Sequence, residues 1–447
     1  MKHFDLIVVG AGPAGITAAT AAARCGCRVL LLDDNHAPGG QIWRSGPNDA
    51  PNDPRQTALR RLAACGARLL TGYRVFDAPA PGVLQAFTES PEPGQPALET
   101  LHYDKLILAT GARERFLPFP GWTLPGVFGP GGLQALVKGG FNVENKRIAI
   151  AGSGPLLLAV AAHLRADGAT ITSIAEQAST LQLLPFAASL LTHPGKLLEG
   201  IKLRAALSGV PYRTGTWPVV ALADANGQLT AVRLTNGTST WDEPCDLLAC
   251  GFHLVPNTEL PSLLGCELKD GFVAVNAQQQ TSIPNIYCVG EPTGIGGLDA
   301  ALIQGEIAGL AAAGKPTTSL ASRAASTRRF TARLARAFRL RPELRTLAAP
   351  DTPEGPGAIV CRCEDVPYSA LATRTGWTDA KLQTRCGMGP CQGRICGPAV
   401  ETLFGWTPKS VRPPLTPVPV SVLFPQTSEP EAPQVSTSSL IQGEVAK

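Results

Sequence analysis

The sequence predicts an α/β chain with two doubly wound domains, one inserted into the other, and a small helical domain after them. Three observations carry this. An apolar run, Leu6–Val9, leads into Gly10-x-Gly12-x-x-Gly15, an Ala-rich segment, and a second run, Val29–Leu32, that ends in Asp33-Asp34. The same order of strand, glycine turn, helix, strand and acid returns between Ile148 and Glu176. Five cysteines then fall within residues 361–396.

Composition sets the bounds. A chain of 447 residues with 44% hydrophobic content can bury several cores. A net charge of +4 is too small to argue for a nucleic-acid partner. No uninterrupted run reaches the ~18 apolar residues of a membrane span. The apolar part of MKHFDLIVV has only the length of a strand and runs into the glycine turn, not a cleavage site. The expected location is cytoplasmic, with the twelve cysteines as thiols or ligands.

In the first unit Gly10 permits a tight turn, Gly12 lets backbone approach a pyrophosphate, and Gly15 lets helix pack on strand. Pro13 and Ala14 open the helix, whose free N–H groups and dipole favour phosphate. Asp33, about 20 residues on, suits a ribose 2′-OH, with Asp34 beside it. Gly39-Gly40-Gln41 then reads as a phosphate-side loop or a simple connection, and residues 47–54 as a polar loop. A helix at 55–65 and strands near 67–76 and 83–88 follow. Lys105–Gly111 reads as a buried strand whose small-residue end, Ala109-Thr110-Gly111, can lie against a nucleotide.

The second unit has Gly152 and Gly154, with Glu176 as its acid, but Leu157 stands where a third glycine would be. A bulky residue there is expected to push the helix outward. Both a working site for NAD or an adenine nucleotide and a retained fold without ligand are open. Residues 177–245 read as a loop, a helix near 195–208 and strands near 217–235. Asn285–Gly290 is a strand into a Gly–acid turn, and Glu291 with Gly297 at the next helix start could meet a flavin's sugar hydroxyls. The plainer reading is a capped strand and loop. Domain limits follow at 1–112 with 280–316, 113–279, a basic helical linker at 317–349, a cysteine domain at 350–425, and a disordered tail at 426–447. Residues 321–345 hold eight arginines and one glutamate, the pattern of a solvated linker face or of a docking helix for an acidic partner.

Cys361-x-Cys363 and Cys386-x₄-Cys391 offer four thiolates in two close pairs. Such pairs hold a [2Fe–2S] cluster or zinc, and the C-x-C spacing leans to iron–sulfur. Glycines 387, 389 and 393 suit backbone N–H groups turned toward sulfur. The selected set is Cys361, Cys363, Cys386 and Cys391, with Cys396 as substitute. No redox dithiol lies near either glycine turn, and no catalytic His–acid set stands out, so no catalytic residue is assigned.

The GAGPAG turn, Asp33, GGQI, ATG, GSGPLLL and GE together resemble the Rossmann-type flavoprotein family of glutathione, thioredoxin and ferredoxin reductases. CRCEDV and TRCGMGPCQGRIC resemble a bacterioferritin-associated-ferredoxin-type [2Fe–2S] domain. The combination, over about residues 1–425, resembles the larger accessory subunits of amino-acid and opine dehydrogenases. Those are the B-type subunit of hydrogen cyanide synthase, the A-type subunits of the opine (octopine and nopaline) oxidases, and the alpha subunit of D-hydroxyproline dehydrogenase. The resemblance implies FAD or an adenine nucleotide in the first site, a [2Fe–2S] cluster, and FMN at a subunit interface. It implies a hetero-oligomer with a glycine-oxidase-like FAD subunit that oxidises the amine, and a small ferredoxin-like third subunit. Electrons would then pass through this chain one at a time. Two rival readings stand: an autonomous NAD(P)H-dependent flavin and [2Fe–2S] reductase, and a nucleotide-binding scaffold without redox flavin.

Overall fold

The computed structural model describes residues 2–44, 53–91, 96–350, 355–408 and 410–424. The polar loop expected at 47–54 lies almost wholly outside them, as do the tail at 426–447 and part of the Pro-rich linker near 350.

β1 (Lys2–Val9), α1 (Pro13–Arg24) and β2 (Val29–Leu32) form the opening unit. α2 (Pro54–Ala63), β3 (Arg68–Leu70), β4 (Arg74–Ala80), β5 (Val83–Phe87) and the long β6 (Leu98–Leu108) follow. The sheet order is β3-β2-β1-β6-β5-β4. β1, β2, β3 and β6 run parallel, and where both faces are buried, at β2 and the carboxyl ends of β1 and β6, the strand reads as a continuous apolar run. β5 pairs antiparallel with the amino half of β6, and β4 pairs antiparallel with β5.

The chain then leaves through β7 (Ala112–Glu114), β8 (Val127–Phe128) and α3 (Pro130–Lys138). β9 (Arg147–Ser153), α4 (Leu156–Ala166) and β10 (Thr170–Glu176) repeat the opening unit. Two helices, α5 (Thr180–Leu190) and α6 (Pro194–Ala206), precede β11 (Tyr212–Thr214). An antiparallel ribbon of β12 (Trp217–Ala223), β13 (Leu229–Thr235) and β14 (Thr240–Pro244) leads to β15 (Leu247–Phe252). The second sheet, all parallel, has order β11-β10-β9-β15-β8. β16 (Leu254–Pro256) pairs back on β7, and α7 (Glu259–Leu263) ends the excursion. α5 replaces much of the loop expected after residue 177. Its start is a capping box, with the Ser179 hydroxyl and the Gln182 side chain each serving the other's backbone N–H.

Through the small ribbon β17 (Leu268–Lys269) and β18 (Phe272–Val273) the chain returns to β19 (Ile286–Cys288), which joins the first sheet beside β6. α8 (Gly297–Ala312) lies on α1 at unusually short range. A Cβ on Gly305 would overlap the Ala14 carbonyl, and one on Gly309 the Ala18 carbonyl. α9 (Ala321–Ala337) then leads toward the cysteine segment, which holds β20 (Ile359–Cys361), β21 (Val366–Pro367), α10 (Tyr368–Ala372), α11 (Trp377–Thr384) and α12 (Cys396–Phe404). No helix among the described residues is long and apolar enough to cross a membrane.

The α1–α8 contact sets the wall on which the first glycine turn rests. Gly305→Leu should lower stability by roughly 2–3 kcal/mol through overpacking, more than the roughly 1 kcal/mol helix propensity returns. Urea unfolding measures it; an unchanged midpoint would show that the two helices are not in backbone contact.

Candidate functional site

The first turn is built by steric exclusion. Gly10 has φ +106°, and a Cβ there would overlap the Ala109 carbonyl. A Cβ on Gly15 would overlap the Gly10 carbonyl, so β1, α1 and the end of β6 interlock. Gly12 differs: nothing lies within 4 Å of the place its Cβ would take, so its outer face is open. The Gly39-Gly40 loop closes one side. Gly39 N–H donates to Ala11 O at 2.7 Å, and a Cβ on Gly40 would stand 3.1 Å from Gly12 Cα. Gln41 is exposed and accepts from Arg44 Nη2 at 3.1 Å. Pro13 and Ala14 are buried in the first turn of α1, which carries no side-chain cap and no acid. Its N–H groups are left for something else.

Asp33 is buried and turned back toward the chain. Oδ2 accepts from Ala11 N–H, and Oδ1 accepts from Asn35 N at 2.8 Å and Asn35 Nδ2 at 2.9 Å. Burial raises its carboxyl above the usual range against those three bonds. These contacts leave one lone pair, on Oδ2, for a ribose hydroxyl. Asp34 is exposed and faces Arg74 at 3.6 Å. Thr110 turns away from the opening: its Oγ1 donates to Asn257 O at 2.6 Å, and Asn257 Nδ2 donates to Thr110 O at 2.8 Å. Gly111 follows at φ +70°. On the far wall, Gly290 N–H donates to Gln304 Oε1 at 2.8 Å. Glu291 Oε1 accepts from Gly297 N–H at 3.0 Å, while Oε2 is buried with no partner among the described residues. Burial pushes that carboxyl up to about 7. An open face at Gly12, an uncapped helix start and an orphaned acceptor at Glu291 suit a phosphate-bearing ligand with sugar hydroxyls.

The second turn is spent on its own chain. A Cβ on Gly152 would overlap the Gly251 carbonyl, the counterpart of the Gly10 contact. α4 starts at Leu156, one position later than α1 does in its unit, and Leu157 is buried in the core beneath it. Glu176 is fully buried: Oε2 accepts from Gly154 N–H at 2.7 Å and Oε1 from Ala178 N–H at 2.9 Å. Burial pushes its carboxyl up to about 7.

Across this turn lies the segment after α9. Ser153 Oγ donates to Phe338 O at 3.4 Å, and Gln177 Nε2 donates to Arg339 O at 3.2 Å. Arg341 N–H donates to Gln177 Oε1 at 3.1 Å. The Arg341 guanidinium stands 3.6 Å over the Trp217 ring and donates to Gly215 O at 3.3 Å. His253, at φ +70°, sits 6.4 Å from the Phe338 ring; burial pushes it down to about 4, and its Nε2 has no partner among the described residues. Sequence reasoning missed this segment and His253, because neither carries a motif.

The five cysteines gather. The sulfurs of Cys361, Cys386 and Cys396 lie within 4.8 Å of one another, all three buried. Cys391 lies beside Cys396 and Cys363 and interacts with both. Donation from Cys386 and Cys396, then from the amides of Gly387 and Glu364, holds the Cys361 thiol well down. Cys391 is held down by Cys396 and by the amides of Ile395 and Gly393, so two of the three expected glycine amides do face sulfur. A cleft of about 390 Å³ opens here. Cys361, Cys363, Cys391, Cys396 and Arg362 line one side; Phe116, Trp122 and Phe128 of the inserted domain line the other. Cys386 is in contact with the group but does not line the cleft; it shares a buried core with Cys361, Cys396, Val360, Leu371 and Val400. Five soft thiols with amide donors fit a thiophilic metal or cluster.

Two bonds from the inserted domain seat this group, and one of the donors is itself held in place. Trp122 Nε1 donates to Ile359 O at 2.7 Å. Arg113 Nε donates to Arg394 O at 3.0 Å, and its Nη1 binds Asn257 Oδ1 at 2.7 Å and Glu259 Oε1 at 2.9 Å. Asn257 is also the residue locked to Thr110, so the end of β6 and the cysteine loop share one polar chain.

Comparison with known proteins agrees with this architecture. Residues 4–315 match the model of the pyridine nucleotide-disulphide oxidoreductase family. The chain is 34% identical to the HcnB subunit of hydrogen cyanide synthase of Pseudomonas aeruginosa, over 87% of this chain and 90% of that protein. It is 34% identical to the A-type subunit of opine oxidase of Rhizobium meliloti, over 94% and 98%. Among solved structures, L-proline dehydrogenase from P. horikoshii superposes with a TM-score of 0.61 at 17% identity, over 94% of this chain and 79% of that one. Thioredoxin reductase of T. acidophilum gives 0.51 at 20%, over 70% and 99%. The chain belongs to the pyridine nucleotide-disulphide oxidoreductase family, in the same group as the HcnB subunit of hydrogen cyanide synthase and the A-type subunit of opine oxidase.

Proposed function

We propose that this chain is the accessory, electron-transferring subunit of a multi-subunit flavin-dependent dehydrogenase acting on the C–N bond of an amino acid or opine. The observation that carries the reading is the pairing of an open first turn with a thiol-lined cleft, while the second turn is covered by residues 338–341. The relatives named above are subunits of a synthase and an oxidase, which supports a hetero-oligomer. The proposed partners are a glycine-oxidase-like FAD subunit that oxidises the amine and a small ferredoxin-like subunit, with FMN at a subunit interface. The autonomous NAD(P)H reductase is disfavoured by the covered second turn, and NAD or ATP is not assigned there.

In the first site the proposed ligand is FAD or an adenine nucleotide. Gly12 and the α1 N-terminus would receive its phosphates, Asp33 Oδ2 a ribose hydroxyl, and Glu291 Oε2 a further hydroxyl. In the cysteine domain the proposed group is [2Fe–2S]. Four cleft-facing thiols, Cys361, Cys363, Cys391 and Cys396, would hold it, so Cys396 takes the place the spacing assigned to Cys386. When bound, such a group supplies a one-electron station beside a two-electron flavin. The residues' part is to exclude water on the aromatic side of the cleft, to donate amides to sulfur, and to fix the cysteine loop through Arg113.

Metal analysis and EPR test the cluster. The purified chain should contain equimolar iron and acid-labile sulfide and give a paramagnetic signal after dithionite reduction. Zinc without sulfide would overturn the relay reading. Among single Cys→Ser variants, Cys386→Ser should keep the cluster, while Cys361→Ser and Cys396→Ser should lose most of it; loss on Cys386→Ser alone would restore the ligand set drawn from spacing.

A second prediction concerns pH. Glu291 is neutral below about 7 in the free chain. The ionised carboxylate is the stronger acceptor for a hydroxyl at Oε2, so FAD affinity should rise, by roughly tenfold in all, as pH climbs through that value, then level off. Titration of the flavin-free chain should show this slope, and Glu291→Gln should flatten it. A flat wild-type profile would remove Glu291 from the site.

A further inference from the structure

We propose that the outer faces of α5 and α6, flanked by the arginines of α9, form the docking surface for a partner subunit with an apolar centre and an acidic rim. The proposal rests on the multi-subunit reading above. Leu181, Leu184, Leu191, Leu198 and Ile201 are each between 52% and 79% exposed. They fall at helical spacing, 181, 184, 188 and 191 in and just past α5, and 194, 198, 201 and 205 on α6, with Ala and Pro filling the gaps. Each helix therefore turns an apolar row toward solvent, and α6 buries no residue fully. Two adjacent helices with outward apolar rows are more than scattered surface leucines.

The faces are held in place from beneath. Phe186 packs inward against Phe330 and Phe338, at 5.6 and 5.7 Å between ring centres, and His193 lies 5.1 Å from Phe330. Those contacts fasten α5 to α9. α9 carries Arg323, Arg328, Arg329, Arg333 and Arg336, all exposed, and no acid. Among the described residues none of the five pairs with a carboxylate. This one-sided charge selects the occupant. In a two-fold contact between copies of this chain, the same arginines would approach each other without acids to meet them. A lipid surface would have to take up the exposed Glu199 carboxylate that stands beside Leu198 in the row. An acidic rim on a protein partner satisfies both the arginines and the apolar rows.

The test is co-expression of the full chain with the glycine-oxidase-like flavoprotein subunit from the same source, followed by affinity measurement on the purified pair. Leu198→Glu/Ile201→Glu and Arg329→Glu/Arg333→Glu should each weaken the complex at least about tenfold with the chain's melting temperature and iron content unchanged. Unaltered binding by both would overturn the docking surface while leaving the subunit reading intact. Variant-sensitive binding to phosphatidylglycerol vesicles, or variant-sensitive self-association of the isolated chain in sedimentation, would overturn it in favour of those occupants. Failure of the wild-type chain to bind the flavoprotein would overturn the subunit reading, and the docking surface with it.

Discussion

The seating of Phe338–Arg341 on the second glycine turn is the constraint on which the far end of the molecule depends. A cleft shaped by two glycines, a buried acid and a helix start would otherwise present free polar groups. Here Ser153, Gln177, Gly215 and Trp217 all meet the chain's own segment. One arginine supplies backbone donation, side-chain donation and a cation–π contact. Single contacts of these kinds contribute on the order of 1 kcal/mol each. Together they define where the linker ends and where the cysteine domain begins. Displacing them would leave buried donors and acceptors without partners, the costlier half of hydrogen-bond energetics.

The two dinucleotide units show one motif with two fates. In both, the first glycine is forced by a carbonyl from the neighbouring strand end, Ala109 in one and Gly251 in the other. They part at the third position. Gly15 lets α1 press on its own turn and keeps the space over Gly12 open, whereas Leu157 belongs to the core and α4 starts later. The acids differ as well. Both accept backbone N–H groups, but Glu176 is fully enclosed, while the first site adds a separate orphaned acceptor at Glu291. A ligand would complete the first site, and the polypeptide already completes the second.

How much of this was legible follows from range. The glycine turns were readable because backbone sterics are local: a β-run, G-x-G and a helix leave few alternatives. The parallel strands were readable where burial on both faces makes them uniformly apolar. The α1–α8 contact through Gly305 and Gly309 was missed, since small residues in an apolar helix carry no sign of what lies opposite. α5 was passed over although Ser179-x-x-Gln182 signals a helix start; Pro185 inside it hid the signal. The cysteines were found by count, but which of them face the cleft depends on how α12 and the 386–396 loop fold back, which spacing does not encode. The Phe338–Arg341 cover is a long-range pairing with no motif at either end.

With its second turn covered, the chain should not take electrons from a nicotinamide nucleotide there. Anaerobic mixing of the flavin-loaded chain with NADH or NADPH in a stopped-flow spectrometer tests this directly. The expected result is that neither the flavin absorbance nor that of the proposed iron–sulfur cluster falls on the timescale of turnover. Rapid bleaching by either nucleotide would contradict it and make the chain a reductase in its own right.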